Sequence, residues 1–330
     1  MASAAARVEC TDDAETMSDM DLRRYLRVHG VVGVDTVDRS GLVAALAKVQ
    51  YAQLARLCTI EQRVHDPIEQ NTQEWYFMRR GPHKMRVGGS DVGVILGLSR
   101  FAKPFSLWEK IIAEQDGLWE RDEETPEACA HGTTCEPLIA DMFEDKMKVS
   151  LLMGGYYRHH DEDLGHFYGA SPDRLILSRG IDIDGTPAGT VCALLEIKAP
   201  FTRMYTDIAP HYMAQMQYQM WVSGVPQCYY LAVKVRHDKP DEQGTGHGPR
   251  STPPGETRVL LALVHYSPAY AAWMIPRLFL FSQCLAERTK PPTDLYESEA
   301  TGYEPPPVPR VEIITVPDGA WRVARENKIA

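Results

Sequence analysis

The chain has 330 residues, 44% of them hydrophobic, and a formal net charge of −10, which is enough apolar material for a packed core with appendages. No apolar run approaches the roughly twenty residues that cross a bilayer and the N-terminus does not read as a signal peptide, so a soluble, intracellular protein is expected. Its seven cysteines are odd in number and never spaced as Cys-x-x-Cys, which argues against a disulfide framework and against zinc or iron–sulfur ligation.

Residues 1–18 are small and polar and read as a disordered arm. Asp19 can cap a helix over Met20 to Val28 with Leu22, Tyr25 and Leu26 on one face. Ser40 can cap a second with Leu42, Val43, Leu46 and Val49 inward. Residues 19–60 thus form a small helical module. It is either SAP-like, a DNA-binding helix–loop–helix unit, or a plain helical hairpin, since Asp35 and Asp38 stand where such units often carry basic residues.

Residues 66–290 alternate between helices and short strands, the pattern of an α/β (α+β) domain with a mixed sheet flanked by helices. Helices are expected at Phe105 to Glu114, Cys135 to Lys146, Tyr205 to Ser223, closed by Gly224 and Pro226, and Ala269 to Arg288. Strands are expected at Met153 to Arg158, Gly165 to Ala170, Arg174 to Ser178, Val191 to Lys198, Tyr229 to Val235 and Arg258 to Tyr266. Gly180 to Gly189 and His237 to Glu256 read as loops, and residues 291–330, with Pro305-Pro306-Pro307, as a Pro-rich tail.

The run Ala193-Leu194-Leu195-Glu196-Ile197-Lys198 ends an apolar strand in a charged pair two residues apart. On a strand both side chains share one face and Ile197 takes the other. Charge at the end of a buried strand needs a partner. Carboxylates from Asp173 and Glu196 are hard ligands suited to magnesium or manganese, and Lys198 beside them can hold a phosphate oxygen or orient a water.

Glu196-Ile197-Lys198-Ala199-Pro200-Phe201-Thr202, Ser171-Pro172-Asp173, His211 to Trp221, Gly132-x-x-x-Glu136, Gln73-x-Trp75-x-x-x-Arg79 and Gly88-Gly89-Ser90-Asp91 together resemble the PD-(D/E)xK nuclease superfamily. Within it they resemble the lambda-phage exonuclease and YqaJ-type viral recombinase family. The resemblance covers about Ile68 to Arg288 and implies a restriction-endonuclease-like core. It also implies a metal-dependent deoxyribonuclease that degrades duplex DNA from an end, 5′ to 3′, in recombination, repair or viral genome processing. By resemblance, Asp173, Glu196, Glu136 and the backbone carbonyl of Ile197 bind Mg2+ (or Mn2+), in two ions. Lys198 positions or helps deprotonate the attacking water, and Gln215 orients water or phosphate. Arg79 and Ser90 hold a terminal 5′-phosphate.

The chain departs from the family pattern at two places. Extra residues at Pro82 to Met85 leave the phosphate-binding arginine open among Arg79, Arg80 and Arg86. Arg174 stands where the family usually has glycine after the aspartate, so either the local backbone differs or Arg174 adds a DNA contact. Partners implied by the resemblance are duplex DNA ends, a single-strand annealing protein and further copies of the chain in a homotrimer. A viral origin would place it in the cytoplasm or nucleus of a host cell. A structure-specific or restriction-like endonuclease is the related alternative, and a catalytically weak DNA-binding adaptor the alternative of another class.

Net negative charge works against DNA binding, and the expectation is a locally positive groove near Arg79, Arg80, Lys84, Arg86, Arg100, Lys103 and Arg203. His159, His160 and His166 do not make a metal site, because adjacent residues on a strand point to opposite faces. Gly88-Gly89-Ser90 lacks the Gly-Lys-Ser/Thr of a nucleotide loop.

Overall fold

The computed structural model describes residues 18–28, 31–57, 64–80, 87–118, 126–159, 167–178, 189–234, 258–291 and 306–316. The expected N-terminal arm apart from Ser18, the His237 to Glu256 loop and all of the Gly180 to Gly189 loop except Gly189 lie outside the described residues.

The N-terminal module pairs α1 (Asp19–Val28) with α2 (Arg39–Leu57). Each helix is capped slightly ahead of the expected residue. Ser18 Oγ accepts the Asp21 N–H at 3.2 Å, and Asp38 Oδ1 accepts the Gly41 N–H at 2.8 Å. Gly33, at φ 76°, turns the chain into a short 3-10 helix (Val34–Thr36). Leu22 and Leu26 then close over Val34, Leu42 and Leu46 as a separate small core.

Thereafter come β1 (Val64–Asp66), α3 (Gln73–Arg80), α4 (Gly89–Ile95), α5 (Pro104–Gln115), α6 (Glu127–Met147), β2 (Ser150–Met153), β3 (Tyr156–Arg158), β4 (Gly169–Ala170), β5 (Arg174–Leu177), β6 (Val191–Lys198), α7 (Pro210–Ser223), β7 (Gln227–Lys234), β8 (Arg258–His265), α8 (Pro268–Ala286) and β9 (Val311–Ile314). The main sheet has six strands in the order β2-β5-β6-β7-β8-β9. Within this sheet, among the described residues, only the β6–β7 pair is parallel, so the chain must cross over between them, and α7 is that crossover. The smaller sheet, β1-β3-β4, is antiparallel.

Both faces of β6 are covered, which explains its nearly continuous apolar sequence. Ala193, Leu195 and Ile197 pack with Cys135, Ile139 and Phe143 of α6. Leu194, on the other face, joins the larger core built with α4, α5, α7 and α8. By the same alternation Glu196 and Lys198 share the α7 side. The fold is therefore the mixed sheet flanked by helices that the alternating pattern implies.

Local boundaries differ from expectation where the chain turns or a proline sets a start. Met153 to Arg158 is not one strand: Gly154 and Gly155 split it between the two sheets. A Cβ on Gly154 would stand 1.7 Å from the Pro172 carbonyl oxygen, and Gly155 has φ 62°. α7 starts at Pro210, whose fixed φ suits a first helical position, and stops at Gly224 in the left-handed region at φ 75°. α6 begins at Glu127, a full two turns before the expected Cys135. Strand β9, in the stretch read as a tail, pairs with β8 at the edge of the main sheet. Among the described residues, no helix is long and apolar enough to cross a membrane.

Candidate active site

Antiparallel pairing of Arg174 with Leu195 and Leu175 with Leu194 brings the residue just before β5, Asp173, alongside the end of β6. The Ile197 N–H donates to Asp173 Oδ2 at 2.6 Å. Glu196 next to it is fully buried, and its carboxylate is met by three side chains. Lys198 Nζ and Gln215 Nε2, the latter at 2.7 Å, donate to Oε1, while Gln219 Nε2 donates to Oε2 at 2.8 Å. Gln215 and Gln219 lie four apart on α7 and so share a face. Gln217, between them, turns the other way. It donates to the His265 carbonyl at 2.8 Å and accepts the Ser267 N–H at 2.8 Å, tying α7 to the start of α8.

The charges are closely coupled. Dry surroundings push Asp173 well above the ordinary carboxylate range, and the negative charges of Glu196 and Glu136 add to this while Lys198 opposes it. Burial works against the Lys198 ammonium, but Glu196 and Asp173 outweigh it and raise its pKa. Lys198 is thus a fixed cation at neutral pH. Its Nζ lies 4.9 Å from the centre of the Tyr212 ring, whose hydroxyl is 3.2 Å from that of Tyr205.

Glu136, on α6, meets the cluster through Arg174. One guanidinium nitrogen, Nη1, donates to Glu136 Oε1 and to the Asp173 carbonyl, both at 2.6 Å. The positive-φ non-glycine residues among the described ones are Asn71, Lys148 and Arg288, so Arg174 occupies ordinary strand backbone. The departure from glycine is absorbed by an internal ion pair. Among the described residues, no three His, Cys, Asp or Glu side chains converge into a ready metal cage. Asp173 and Glu196 supply a pair of oxygen donors, and the third carboxylate is engaged by arginine.

A second group lies on the adjoining helices. Arg79 Nη2 donates to Ser90 Oγ at 2.8 Å and stands 3.9 Å from Asp91 Oδ2, with its guanidinium 5.1 Å from the Trp75 ring centre. A Cβ on Gly88 would stand 2.5 Å from Arg79 Nη2, so a side chain there would push the guanidinium out of its present place. Trp75 Nε1 donates to Ser171 Oγ at 2.8 Å and Gln70 Nε2 to the Pro172 carbonyl at 2.7 Å, which anchors α3 to the strand end that carries Asp173. Helix α4 lies directly on α7. A Cβ on Gly89 would sit 3.4 Å from Cγ of both Gln215 and Gln219, and one on Gly93 only 2.6 Å from His211 Cβ.

The structure therefore gathers Asp173, Glu196, Lys198 and Gln215, sets Glu136 beside them through Arg174, and pairs Arg79 with Ser90 on a neighbouring helix. Arg86 and the side chain of Arg80 lie outside the described residues. So do His160 and His166, while His159 packs on Trp221 with ring centres 5.3 Å apart. Sequence reasoning missed Gln219 as the second clamp on Glu196. Its spacing from Gln215 was the available signal.

Residues 74–226 match the YqaJ-like viral recombinase domain family. A protein of Bacillus subtilis (strain 168) called "Uncharacterized protein YqaJ" is 28% identical over 179 residues, which are 52% of this chain and 49% of that protein. The chain thus spans about half the length of this curated relative. Among solved structures, an alkaline exonuclease (LHK-Exo) from Laribacter hongkongensis aligns at TM-score 0.47 and 21% identity, covering 66% of this chain and 94% of that one. A phage related exonuclease from Haemophilus somnus 129PT aligns at TM-score 0.41 and 14% identity, covering 62% and 95%.

Proposed function

We propose that this chain, whose residues 74–226 match the YqaJ-like viral recombinase domain family, is a metal-dependent deoxyribonuclease acting on duplex DNA from an end, 5′ to 3′. The observation that carries this reading is the side-by-side placement of Asp173 and the Glu196-Ile197-Lys198 strand end, with the fully buried Glu196 carboxylate clamped by Lys198, Gln215 and Gln219. A carboxylate buried this deeply beside a second one is costly unless cations meet it.

The donor set fits a hard divalent cation. The carboxylates of Asp173 and Glu196 and the carbonyl of Ile197 would hold it, with Glu136 available once it leaves Arg174. Bound there, magnesium or manganese would lower the pKa of a water and stabilise the leaving oxygen of an in-line phosphodiester displacement. The protein's own groups do the rest. Lys198, held protonated by the two carboxylates, offsets charge that grows on the phosphate oxygens. Gln215, once released from Glu196, donates to and accepts from the attacking water. The Arg79 guanidinium, already aligned with the Ser90 hydroxyl, receives a terminal 5′-phosphate as a charge-assisted fork. A trimer around DNA and an annealing-protein partner belong to the same proposal.

The test is a linear duplex phosphorylated at one 5′ end, incubated with Mg2+ or with EDTA beside a covalently closed circle. Loss of the linear strand alone, from the phosphorylated end and only with Mg2+, supports the proposal. Cutting of the circle replaces it with an endonuclease, and intact DNA in every lane with a DNA-binding adaptor.

A further inference from the structure

A line of rings and cations leads outward from Lys198. Its ammonium faces the Tyr212 ring at 4.9 Å, and the Tyr212 and His211 ring centres are 4.1 Å apart. His211 in turn meets Phe101 edge to face, with centres 6.1 Å apart at 89°, and the Arg100 guanidinium lies 4.9 Å from the Phe101 ring centre. Phe101 is 73% exposed, so the line ends in a large apolar ring standing in solvent beside a cation. Neither the sheet nor the core explains that exposure, and Phe101 belongs to neither main core cluster.

Two independent observations bear on what such a ring would meet. Cations stand at both ends of the line, and both act on the histidine between them: burial, then Lys198, then Arg100 hold His211 below its usual pKa. The backbone and Cβ of the histidine are also packed closely against α4, because a Cβ on Gly93 would stand 2.6 Å from His211 Cβ. Rigid aromatic faces interleaved with cations next to a phosphate-handling centre are what unpaired nucleobases stack on, since every base has a π face and the flanking phosphates meet the positive charges.

We propose that Phe101, with Arg100 over its ring and His211 meeting it edge to face, is a stacking platform for an unpaired nucleobase adjoining the reacting phosphate. The platform rests on the nuclease reading and adds a substrate contact to it. Arg100 neutralises a phosphate one step along the strand, and the Phe101 ring holds its base out of the duplex.

The experiment uses the full chain, EDTA to stop turnover, and 5′-phosphorylated duplexes carrying 2-aminopurine at the terminal or an internal position. Terminal 2-aminopurine should be quenched on binding and the internal one should not. Phe101→Ala and Phe101→Leu should lose the quenching and weaken binding by about 5- to 150-fold, whereas Phe101→Trp should keep both. The exposure of Phe101 means that these variants keep the wild-type melting temperature. If wild type binds and, with Mg2+, degrades DNA while Phe101→Ala binds and quenches equally well, the platform is wrong and the nuclease reading stands. If Phe101→Ala changes only the oligomeric state, the ring is a contact between copies and the platform is likewise overturned. If wild type neither binds nor degrades DNA, both fall together.

Discussion

Arg174 Nη1 lies 2.6 Å from Glu136 Oε1, and that one ion pair joins helix α6 to the strand end bearing Asp173. The guanidinium is nearly buried and its partner is 30% exposed. It puts a permanent cation inside a group of carboxylates and keeps Glu136 close to, but outside, the Asp173–Glu196 pair.

Removing that cation leaves Glu136 unpaired and brings three negative charges to bear on one another. Arg174→Ala is expected to cost about 1–3 kcal/mol in the absence of metal, as for a half-buried hydrogen-bonded charge that loses its partner. Magnesium should restore more stability to the variant than it adds to wild type, because Glu136 is then free to bind it. Urea unfolding of both proteins in EDTA and in Mg2+ reads the difference. Equal Mg2+ effects on the two would place Glu136 outside the metal's reach.

Gln219 holds the second oxygen of Glu196 at 2.8 Å from a buried position. Gln219→Ala strips a donor from a fully buried carboxylate and should lower stability by about 1–3 kcal/mol. Gln217→Ala should cost a similar amount by loosening α7 from α8, but leave DNA cleavage per folded molecule near wild type. Cleavage rates normalised to the folded fraction separate the two glutamines.

Much of this arrangement was legible in the residues. Period-two alternation put Glu196 and Lys198 on one face and Ile197 on the other, and β6 obeys it because both of its faces are covered. What escaped the sequence depends on tertiary geometry. Nothing local to Arg174 indicates a partner 38 residues away. Which of Gln215, Gln217 and Gln219 face the carboxylate is fixed by the rotation of α7 about its axis, set by the close approach of Gly89 and Gly93. The split at Gly154 and Gly155 follows from the Pro172 carbonyl occupying the space a side chain would need. Strand β9 is a four-residue edge strand with no buried residue, easily read as tail beside so many prolines.

The close approach of α4 to α7 has its own consequence. Gly93→Ala would drive a methyl group to 2.6 Å from His211 Cβ and 3.0 Å from its Cα. Overpacking of this kind costs about 1–3 kcal/mol. It should also displace Ser90 from Arg79, so the preference for a 5′-phosphorylated end over a 5′-hydroxyl end should shrink in the variant. An unchanged preference would separate the α3–α4 group from end recognition.

Asp173 gives a pH dependence with a definite sign. Its folded-state pKa is raised, so the folded protein binds that proton more tightly than the unfolded chain does. The stability it contributes is fully present below about pH 4, the unfolded value, and is lost as pH rises through the folded one. Lys198 is also raised, so its contribution persists up to about pH 10 and does not obscure the effect. His211 and the ion-paired Asp116, Asp145 and Glu312 are shifted down and act with the opposite sign, so Asp173 is read by difference: in EDTA the melting temperature of wild type minus that of Asp173→Asn should fall as pH rises from about 4 toward neutrality, and a constant difference would contradict the raised pKa.

The most direct test of the account is the rate at which wild type and Lys198→Ala release nucleotides from linear duplex DNA in Mg2+, with DNA binding and melting temperature measured on the same samples. The account predicts that Lys198→Ala stays folded and binds DNA but loses cleavage by about 10²–10³-fold or more, the scale for removing a charge aimed at a transition state. A folded, DNA-binding Lys198→Ala that cleaves at the wild-type rate would contradict the assignment of this strand end as the catalytic centre.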